Sequence, residues 1–175
     1  KACTPLVSAL AKPAAGLDVE IVVAEDGTTD PVALASNRWI ADMPHCRYLP
    51  LTTNHGRAAI RNRLATEARG ERLLFVDDDV MPADDDFLKT YLSCDAPVVC
   101  GGLLAAKTPH PNNLRWCYDN ATAKRLTVEH RKRAPYKCFM TSNFAVARDL
   151  FLDIRLDESI TDYGFEDALF GIMLQ

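Results

Sequence analysis

The sequence predicts an α/β fold with a largely parallel sheet, because short apolar runs typical of strands alternate with amphipathic segments typical of helices. The clearest strand-like runs cover residues 19–24 and 73–76, and the clearest helix-like segment covers 58–68. Both runs end in consecutive acidic residues, and no internal repeat is present. With 175 residues, 48% of them apolar, the chain is long enough to form one domain over residues 1–175 around a hydrophobic core.

The first third of the chain is predicted to alternate helices and strands. A short helix begins at Thr4, because threonine caps helix N-termini and the proline that follows is tolerated at the first helical position. Residues 19–24 are apolar apart from one glutamate, as expected of a strand that is covered on both faces. A second helix begins with Asp30 as its cap and extends to about residue 39, and residues 48–51 form the next strand.

The middle of the chain contains the helix with the strongest apolar periodicity. Over residues 58–68 the side chains of Ile60, Leu64 and Ala68 are spaced four apart, so this face is predicted to pack on the core. Gly70 is a suitable stop for this helix. The elements predicted next are a strand, a helix and a strand, over residues 73–76, 86–93 and 98–100.

The last third of the chain is less regular. Residues 105–137 show no clear periodicity and are predicted to form a long loop, which in a compact domain is usually functional. Residues 139–146 are apolar around a polar trio, Thr141, Ser142 and Asn143. A final helix is predicted after Gly164, with Leu169, Ile172 and Met173 as its buried residues.

Composition and charge exclude several classes of function. The chain has 20 Lys and Arg against 24 Asp and Glu, a net charge of -4, which argues against a nucleic-acid partner or a general binder of anionic membranes. The six cysteines form no CxxC pair, so reduced thiols in a cytoplasmic protein are expected. No apolar run approaches the roughly 20 residues of a transmembrane helix, and no signal peptide is recognised. Basic residues concentrate in 124–137, where they could screen a diphosphate, hold an anionic acceptor or simply be solvated.

The acidic cluster after the strand at 73–76 is a candidate metal site. Alternate residues at a strand end point the same way, so Asp77 and Asp79 could bind one hard cation while Asp78 points elsewhere. Oxygen ligands of this kind favour Mg2+ or Mn2+, usually shared with a substrate phosphate. The alternative is a group of acids that only complements the dipole of the helix that follows.

Three further segments contain candidate site residues. Glu25 and Asp26 follow the strand at 19–24 and could accept hydrogen bonds from a nucleobase or ribose, although the same residues are common in turns. Residues 54–57 precede a helix and could contact phosphate at its N-terminus. Glu166 and Asp167 begin the last helix, where an acid could be a general base or could complement the helix dipole.

In order along the chain, these motifs resemble those of the family 2 glycosyltransferases, which have the GT-A nucleotide-sugar-binding fold. The resemblance covers roughly residues 17–172, and an ordered set of motifs is far more specific than any one of them. The matching segments are EIVVAEDGTTD at 20–30, NHGR at 54–57, RN at 61–62, LFVDDD at 74–79, NFAVAR at 143–148, DE at 157–158 and YGFED at 163–167.

The resemblance implies a role for each candidate residue. Asp79 would bind a divalent metal, Mn2+ or Mg2+, and Asp77 would assist at the metal or at the ribose. The nucleotide-sugar would be bound by Glu25, Asp26, Arg57, Asp77 and Asp78. On the acceptor side, Asp167 would be the catalytic base, with Glu166 and Asn143 close to it. Members of the family are inverting, so one direct displacement at the anomeric carbon is expected.

Two departures from the family pattern lead us to expect a fragment of a longer chain. Family members begin with a strand before the first helix, and this strand is absent. A metal-binding histidine expected beyond the closing helix is also absent. Separately, Glu25 stands where the family usually has aspartate, which bears on the contact with the base.

The expected activity is transfer of a sugar from a nucleotide diphosphate, with UDP as the expected nucleotide, to a glycan or lipid-linked acceptor. Polysaccharide assembly in the cytoplasm, with peripheral association at the inner face of the membrane, would be compatible with it. The alternatives are a non-catalytic nucleotide-sugar-binding domain and a haloacid-dehalogenase-like phosphatase with Asp77 as nucleophile.

Overall fold

The computed structural model describes residues 2–106, 113–160 and 165–175. Helices and strands alternate along most of this chain, as an α/β fold requires. The strands are β1 (Ile21–Asp26), β2 (Cys46–Leu51), β3 (Arg72–Val76), β4 (Val98–Cys100) and β5 (Asn143–Ala147). The helices are α1 (Thr4–Ala14), α2 (Pro31–Arg38), α3 (Arg57–Glu67), α4 (Phe87–Leu92), α5 (Leu114–Arg125), α6 (Val128–Arg133), α7 (Arg148–Ile154) and α8 (Glu166–Met173), with 3-10 turns at Trp39–Asp42 and Tyr136–Cys138. No helix in these residues is long and apolar enough to cross a bilayer.

The described strands form two sheets. In the first, β1 and β2 are parallel, and their register runs from Ile21 opposite Cys46 to Asp26 opposite Leu51. In the second, β5 lies between β3 and β4 and is antiparallel to both. The strands β3 and β4 therefore run in the same direction, and their carboxyl ends flank the beginning of β5. Val76, the last residue of β3, pairs with Asn143, the first residue of β5.

The main hydrophobic core lies around β5 and is rich in phenylalanine. The rings of Phe75 and Phe144 are stacked with centroids 4.8 Å apart, and Phe151 contacts Phe75 from α7. Phe170 of α8 is 1% exposed and packs against Phe144 and Phe151. Burial of one such ring contributes about 1.5–3 kcal/mol, so the core fixes α8 firmly to the sheet.

A second, smaller core joins the two sheets on the other side. Leu6, Leu10 and Ala14 of α1 and Leu88 of α4 are its buried residues. Apolar side chains of β1 and β3, including Ile21 and Leu74, pack against them.

The cap prediction for α2 is confirmed, and the one for α1 is wrong in detail. Asp30 accepts a hydrogen bond from the amide of Val32, with proline at the first helical position. The helix α1 begins at Thr4 as expected, but the Thr4 hydroxyl donates to the carbonyl of Ser36 and does not cap its own helix. The hydroxyl that was predicted to cap α1 thus bonds to a residue of α2 instead.

The prediction for α3 is confirmed in part, because Leu64 and Ala68 pack against the main core, but the most deeply buried residues are others. The fully buried residues are Ala58, Asn62 and Ala65, while Ile60, Leu64 and Ala68 are only partly buried. Asn62 can be buried because its amide group is fully used. It donates to the carbonyl of Leu156 and to Glu158, and it accepts from the amide of Leu156.

The predicted long loop at 105–137 is also wrong, because α5, α6 and a 3-10 turn occupy most of its described part. Neither helix has a buried residue, so the apolar periodicity that reveals a helix is missing. The N-terminal caps of these helices, Asn113 and Thr127, were the features of the sequence that could have indicated them.

In α8, Ile172 and Met173 were predicted to be buried but are 54% and 45% exposed. The buried positions of this helix are Glu166, Phe170 and Gly171.

Candidate active site

Asp26, at the end of β1, holds the N-terminal end of α3. One carboxylate oxygen of Asp26 accepts from the backbone amide of His55 at 2.8 Å, and the other accepts from the amide of Gly56 at 3.1 Å. The helix has no side-chain cap of its own, and Gly56 has a φ of +87°, which glycine adopts without strain. A side chain from the neighbouring strand therefore replaces the local cap and places the first turn of α3 beside the end of β1.

Glu25 points into the protein instead of toward this site. Its side chain is buried and accepts hydrogen bonds from the amide of Asn37 at 2.6 Å and from the hydroxyl of Tyr48 at 3.0 Å. Burial, together with this hydrogen bond, raises the pKa of Tyr48 to about 12. Asn37 in turn accepts from the amide of Cys3. Glu25 thus joins β1, β2, α2 and the start of α1, and the structure does not place it with the other candidate nucleotide-binding residues.

The first two turns of α3 connect the acidic residues that follow β3 with those of α8. Arg61 lies 2.5 Å from Asp77 Oδ1, and the Arg61 side chain is only 11% exposed. Arg57, four residues earlier, lies 3.7 Å from Glu166 Oε1. Residues four apart occupy the same face of a helix, so one face of α3 contacts both acidic groups.

Asp77 shares its electrostatic environment with two more carboxylates. Burial raises its pKa, Arg61 opposes this increase, and the charges of Asp79 and Asp167 raise the pKa further. Asp77 and Asp167 also bond to consecutive residues, because the Asp77 amide donates to Ser142 and Asp167 accepts from Thr141, so these two acids flank the start of β5. The acidic residues after β3 and those at the start of α8, both candidates from the sequence, are thus connected through α3.

The polar trio at the start of β5 links three parts of the site. The Thr141 hydroxyl donates to Asp167 Oδ1 at 2.5 Å, and the Ser142 carbonyl accepts from the amide of Asp77 at 3.0 Å. Asn143 accepts from the Tyr91 hydroxyl at 2.6 Å and donates to the carbonyl of Gly102 at 3.0 Å. These three consecutive residues therefore hold α8, the acidic end of β3 and the glycines after β4.

Glu166 has a buried oxygen atom that is not satisfied. Its side chain is 9% exposed, and while Oε1 faces Arg57, Oε2 has no hydrogen-bond partner among the described residues. An unsatisfied buried acceptor costs about 1–3 kcal/mol, so Oε2 is suited to accept a hydrogen bond from a bound molecule. The YGFED motif begins at residue 163, and residues 163 and 164 lie outside the described residues.

The predicted metal site is incomplete in the protein alone. In the described part of the chain, no group of three or more His, Cys, Asp or Glu side chains is arranged to hold a metal ion. Asp78 and Asp79 are exposed in the turn after β3, which is closed by a hydrogen bond from the amide of Val80 to the carbonyl of Asp77. A cation here would need further ligands from outside the described residues.

Two residues of the site were missed in the sequence. Arg61 belongs to a recognised motif, and its position one turn after Arg57 is the signal that could have assigned it. Thr141 was noticed only as a polar residue in an apolar run, and its partner is 26 residues away. Both are positioning residues for the carboxylates that they contact.

Comparison with known proteins gives consistent results. Residues 5–154 match the family model described as glycosyl transferase family 2. A curated relative, the uncharacterized glycosyltransferase YfnE of Bacillus subtilis (strain 168), is 26% identical over 207 aligned residues, covering 90% of this chain and 53% of the relative.

Solved structures resemble the fold along almost the whole chain. The 1–349 portion of S. aureus TarS superposes with a TM-score of 0.63 at 19% identity, covering 99% of this chain and 52% of that one. Its complex with UDP-GlcNAc gives a TM-score of 0.62 at 20% identity, with coverage of 98% and 49%. The mannosyltransferase PcManGT from Pyrobaculum calidifontis, in complex with GDP-Man and Mn2+, gives 0.55 at 20% identity, with coverage of 95% and 47%. The chain thus spans about half the length of these relatives.

Proposed function

Because the chain belongs to glycosyl transferase family 2 and has the GT-A fold, we propose that it transfers a sugar from a nucleotide diphosphate, with UDP-sugars as first candidates, to a hydroxyl of a glycan or lipid-linked acceptor. The observation that carries the proposal is the contact of one face of α3 with both acidic groups, through Arg61 and Asp77 and through Arg57 and Glu166. TarS and PcManGT have been captured with UDP-GlcNAc and GDP-Man, which supports a nucleotide-sugar donor.

The donor would lie between the N-terminal end of α3 and the turn after β3. The amides of His55 and Gly56 at this end of α3 are already bonded to Asp26, so the attraction for phosphate would come from the side chain of Arg57. Arg57 is half exposed there and can contact a diphosphate. Asp26 and Asp78 would face the nucleoside side of the donor.

The chemistry of Asp77 and Asp79 fits a divalent metal. Both supply carboxylate oxygens. Burial raises the pKa of Asp77 and the charge of Asp79 adds to this increase, so a bound cation would favour the ionised carboxylate. Mg2+ and Mn2+ prefer oxygen ligands and commonly share them with substrate phosphates, which accounts for an incomplete ligand set in the protein alone. When bound, the metal would neutralise charge on the departing diphosphate.

The acceptor would approach from the side of α8. Asp167, held by Thr141, would accept the proton of the acceptor hydroxyl, and the buried Oε2 of Glu166 would orient that hydroxyl or a neighbouring one. Asn143 would position the backbone on the acceptor side through its hydrogen bond to the carbonyl of Gly102, after β4. In one displacement the acceptor oxygen forms a bond to the anomeric carbon, the bond from that carbon to the diphosphate oxygen breaks, and the nucleoside diphosphate leaves. The configuration of the anomeric carbon is inverted.

The phosphatase alternative loses support, because Asp77, which would be its nucleophile, is paired with Arg61 in a glycosyltransferase fold.

The proposal is tested by calorimetric titration with UDP-GlcNAc, UDP-glucose and GDP-mannose, each with and without Mn2+. We expect at least one donor to bind, and to bind more tightly with Mn2+. Asp79→Asn should abolish the effect of the metal, whereas the exposed Asp95→Asn should retain it. If no nucleotide-sugar binds under any condition, the proposal is wrong. Binding without donor cleavage, with any acceptor supplied, would favour the non-catalytic alternative.

A further inference from the structure

The segment of residues 113–138, here called the basic segment, has a charge opposite to that of the rest of the protein. It contains seven Lys and Arg against two Asp and Glu, a formal charge of +5, in a chain whose net charge is -4. Arg115 pairs with Asp119. Five other cations of the segment are exposed and make no ion pair within the part of the chain that the structure describes: Lys124, Arg125, Lys132, Arg133 and Lys137.

The basic segment also exposes large apolar side chains. Leu114 and Tyr118 lie four residues apart, hence on one face of α5, and are 87% and 68% exposed. Val128, at the start of α6, is 50% exposed. Neither helix has a buried residue. Leu114, Tyr118 and Val128 gain little stability in the described structure because they stay exposed, so they are suited to an apolar environment outside it.

Three contacts attach the basic segment to the rest of the protein, and two of them lie beside the candidate active site. The indole nitrogen of Trp116 donates to the carbonyl of Ala106 at 2.7 Å. Arg131 donates to the carbonyls of Cys100, the last residue of β4, and Gly101, which follows it. The 3-10 turn Tyr136–Cys138 packs on α8 so closely that a Cβ at Gly171 would collide with the carbonyl of Tyr136. The segment is thus held between the end of β4 and the helix that carries Asp167.

We propose that the basic segment docks on the surface of a bilayer that contains anionic lipids. Cations attract the headgroups, and apolar and aromatic side chains enter the boundary with the acyl chains, which is the combination that membrane-surface helices use. A soluble polyanion would engage the cations but would leave Leu114, Tyr118 and Val128 in water, so the apolar residues favour a bilayer. The negative charge of the rest of the protein would turn the other faces away from the same surface.

This docking rests on the proposed function and adds the source of the acceptor to it. With α8 attached to the docked segment, Asp167 would work beside the membrane, where a lipid-linked acceptor presents its hydroxyl. Transfer to an acceptor in solution would not need the exposed apolar side chains.

The test is co-sedimentation of the 175-residue chain with vesicles of phosphatidylglycerol and phosphatidylcholine in equal parts, compared with phosphatidylcholine alone. We expect binding only to the anionic vesicles, and loss of binding near 1 M salt, where the Debye length is about 3 Å. The triple variant Lys124→Gln, Arg125→Gln, Arg133→Gln should bind on the order of 100-fold more weakly, since each cation near such a surface contributes roughly fivefold. The matched variant Lys12→Gln, Arg38→Gln, Arg69→Gln removes the same charge from exposed residues elsewhere and should lose far less.

A second variant, Leu114→Ser with Tyr118→Ser, keeps every charge and should also bind more weakly. Binding that is equal on both vesicle types, or equal in the two triple variants, would overturn the proposal. So would polyphosphate binding that is as tight as vesicle binding and insensitive to the Leu114 and Tyr118 changes. Nucleotide-sugar titration of the same samples distinguishes a failure of the docking proposal from a failure of the proposed function. If the chain binds donor but no vesicle, the docking proposal is wrong and the proposed function stands.

Discussion

Thr141 and Asp167 are joined by a hydrogen bond of 2.5 Å in which the Thr141 hydroxyl donates to Oδ1. Thr141 is 2% exposed, so this bond is shielded from water. The residue stands just before β5, the central strand of its sheet, whereas Asp167 belongs to the first turn of α8. The bond therefore fixes the carboxylate relative to the sheet that carries Asp77, and leaves Oδ2 as the oxygen that can receive a proton.

Thr141→Val should lower turnover and leave donor binding intact. Valine has nearly the same shape but cannot donate, so Asp167 loses its orientation and a misplaced base reacts more slowly, by roughly tenfold to a hundredfold. The measurement is the rate of nucleoside diphosphate release from the donor found by titration, together with the KM for that donor. Thr141→Ser keeps the hydroxyl and should retain most of the rate. Equal rates in the valine and serine variants would show that the hydrogen bond does not position the base.

Arg61→Met should weaken donor binding in the presence of Mn2+ by about tenfold or more. Methionine preserves much of the apolar contact of the arginine stem but leaves the half-buried Asp77 without its cation, which costs about 1–3 kcal/mol. Calorimetric titration with the donor and thermal unfolding measure the two effects. Arg63→Met is the matched control, because Arg63 is on the same helix and makes only an exposed pair with Glu67 worth about 0.3–0.5 kcal/mol. Similar losses in both variants would contradict a specific role for Arg61.

Glu25→Gln should destabilise the fold without weakening donor binding. The charged acceptor for Asn37 and Tyr48 disappears, and hydrogen bonds to charged groups contribute about 1.5–3 kcal/mol. Tyr48→Phe removes one of the two donors and should cost about 1 kcal/mol. Chemical denaturation gives these free energies of unfolding, and titration gives the donor affinity. A loss of affinity with unchanged stability would restore Glu25 to the nucleotide site that the family resemblance implies.

The parts of the fold that the sequence predicts well depend on local patterns. Continuous apolar runs locate β1 and β3, and the Asp30 cap with its proline locates α2, because the signal and the structure involve the same few residues. Open α/β sheets bind ligands beyond the carboxyl ends of their strands, so acidic residues at two strand ends are a general reason to look for a site there.

The parts that sequence analysis misses depend on partners far away in the chain. Asn62 can be buried because Leu156, 94 residues later, and Glu158 satisfy its amide group, so the buried face of α3 includes a polar residue that its own sequence does not predict. The sequence around Glu25 is typical of a ligand-binding acid, but in the structure its carboxylate accepts hydrogen bonds from Tyr48 and Asn37. The helices α5 and α6 lack buried residues, so no periodicity could reveal them.

Gly101→Ala should disrupt the acceptor side of the site, whereas Gly102→Ala should be nearly neutral. A Cβ at Gly101 would collide with the Tyr91 hydroxyl and with the Asn143 amide, which hold each other through a buried hydrogen bond. One of them must move, and overpacking of this kind costs about 1–3 kcal/mol. At Gly102 the nearest atom to a Cβ is an Arg131 nitrogen 3.6 Å away, which is an ordinary contact. Thermal unfolding and the rate of donor turnover should therefore separate two neighbouring glycines. If both alanine variants unfold and turn over donor like the unchanged chain, Tyr91 and Asn143 do not form the rigid support that the geometry indicates. The hydrogen bonds between Asn143 and the residues after β4 would then contribute little to stability.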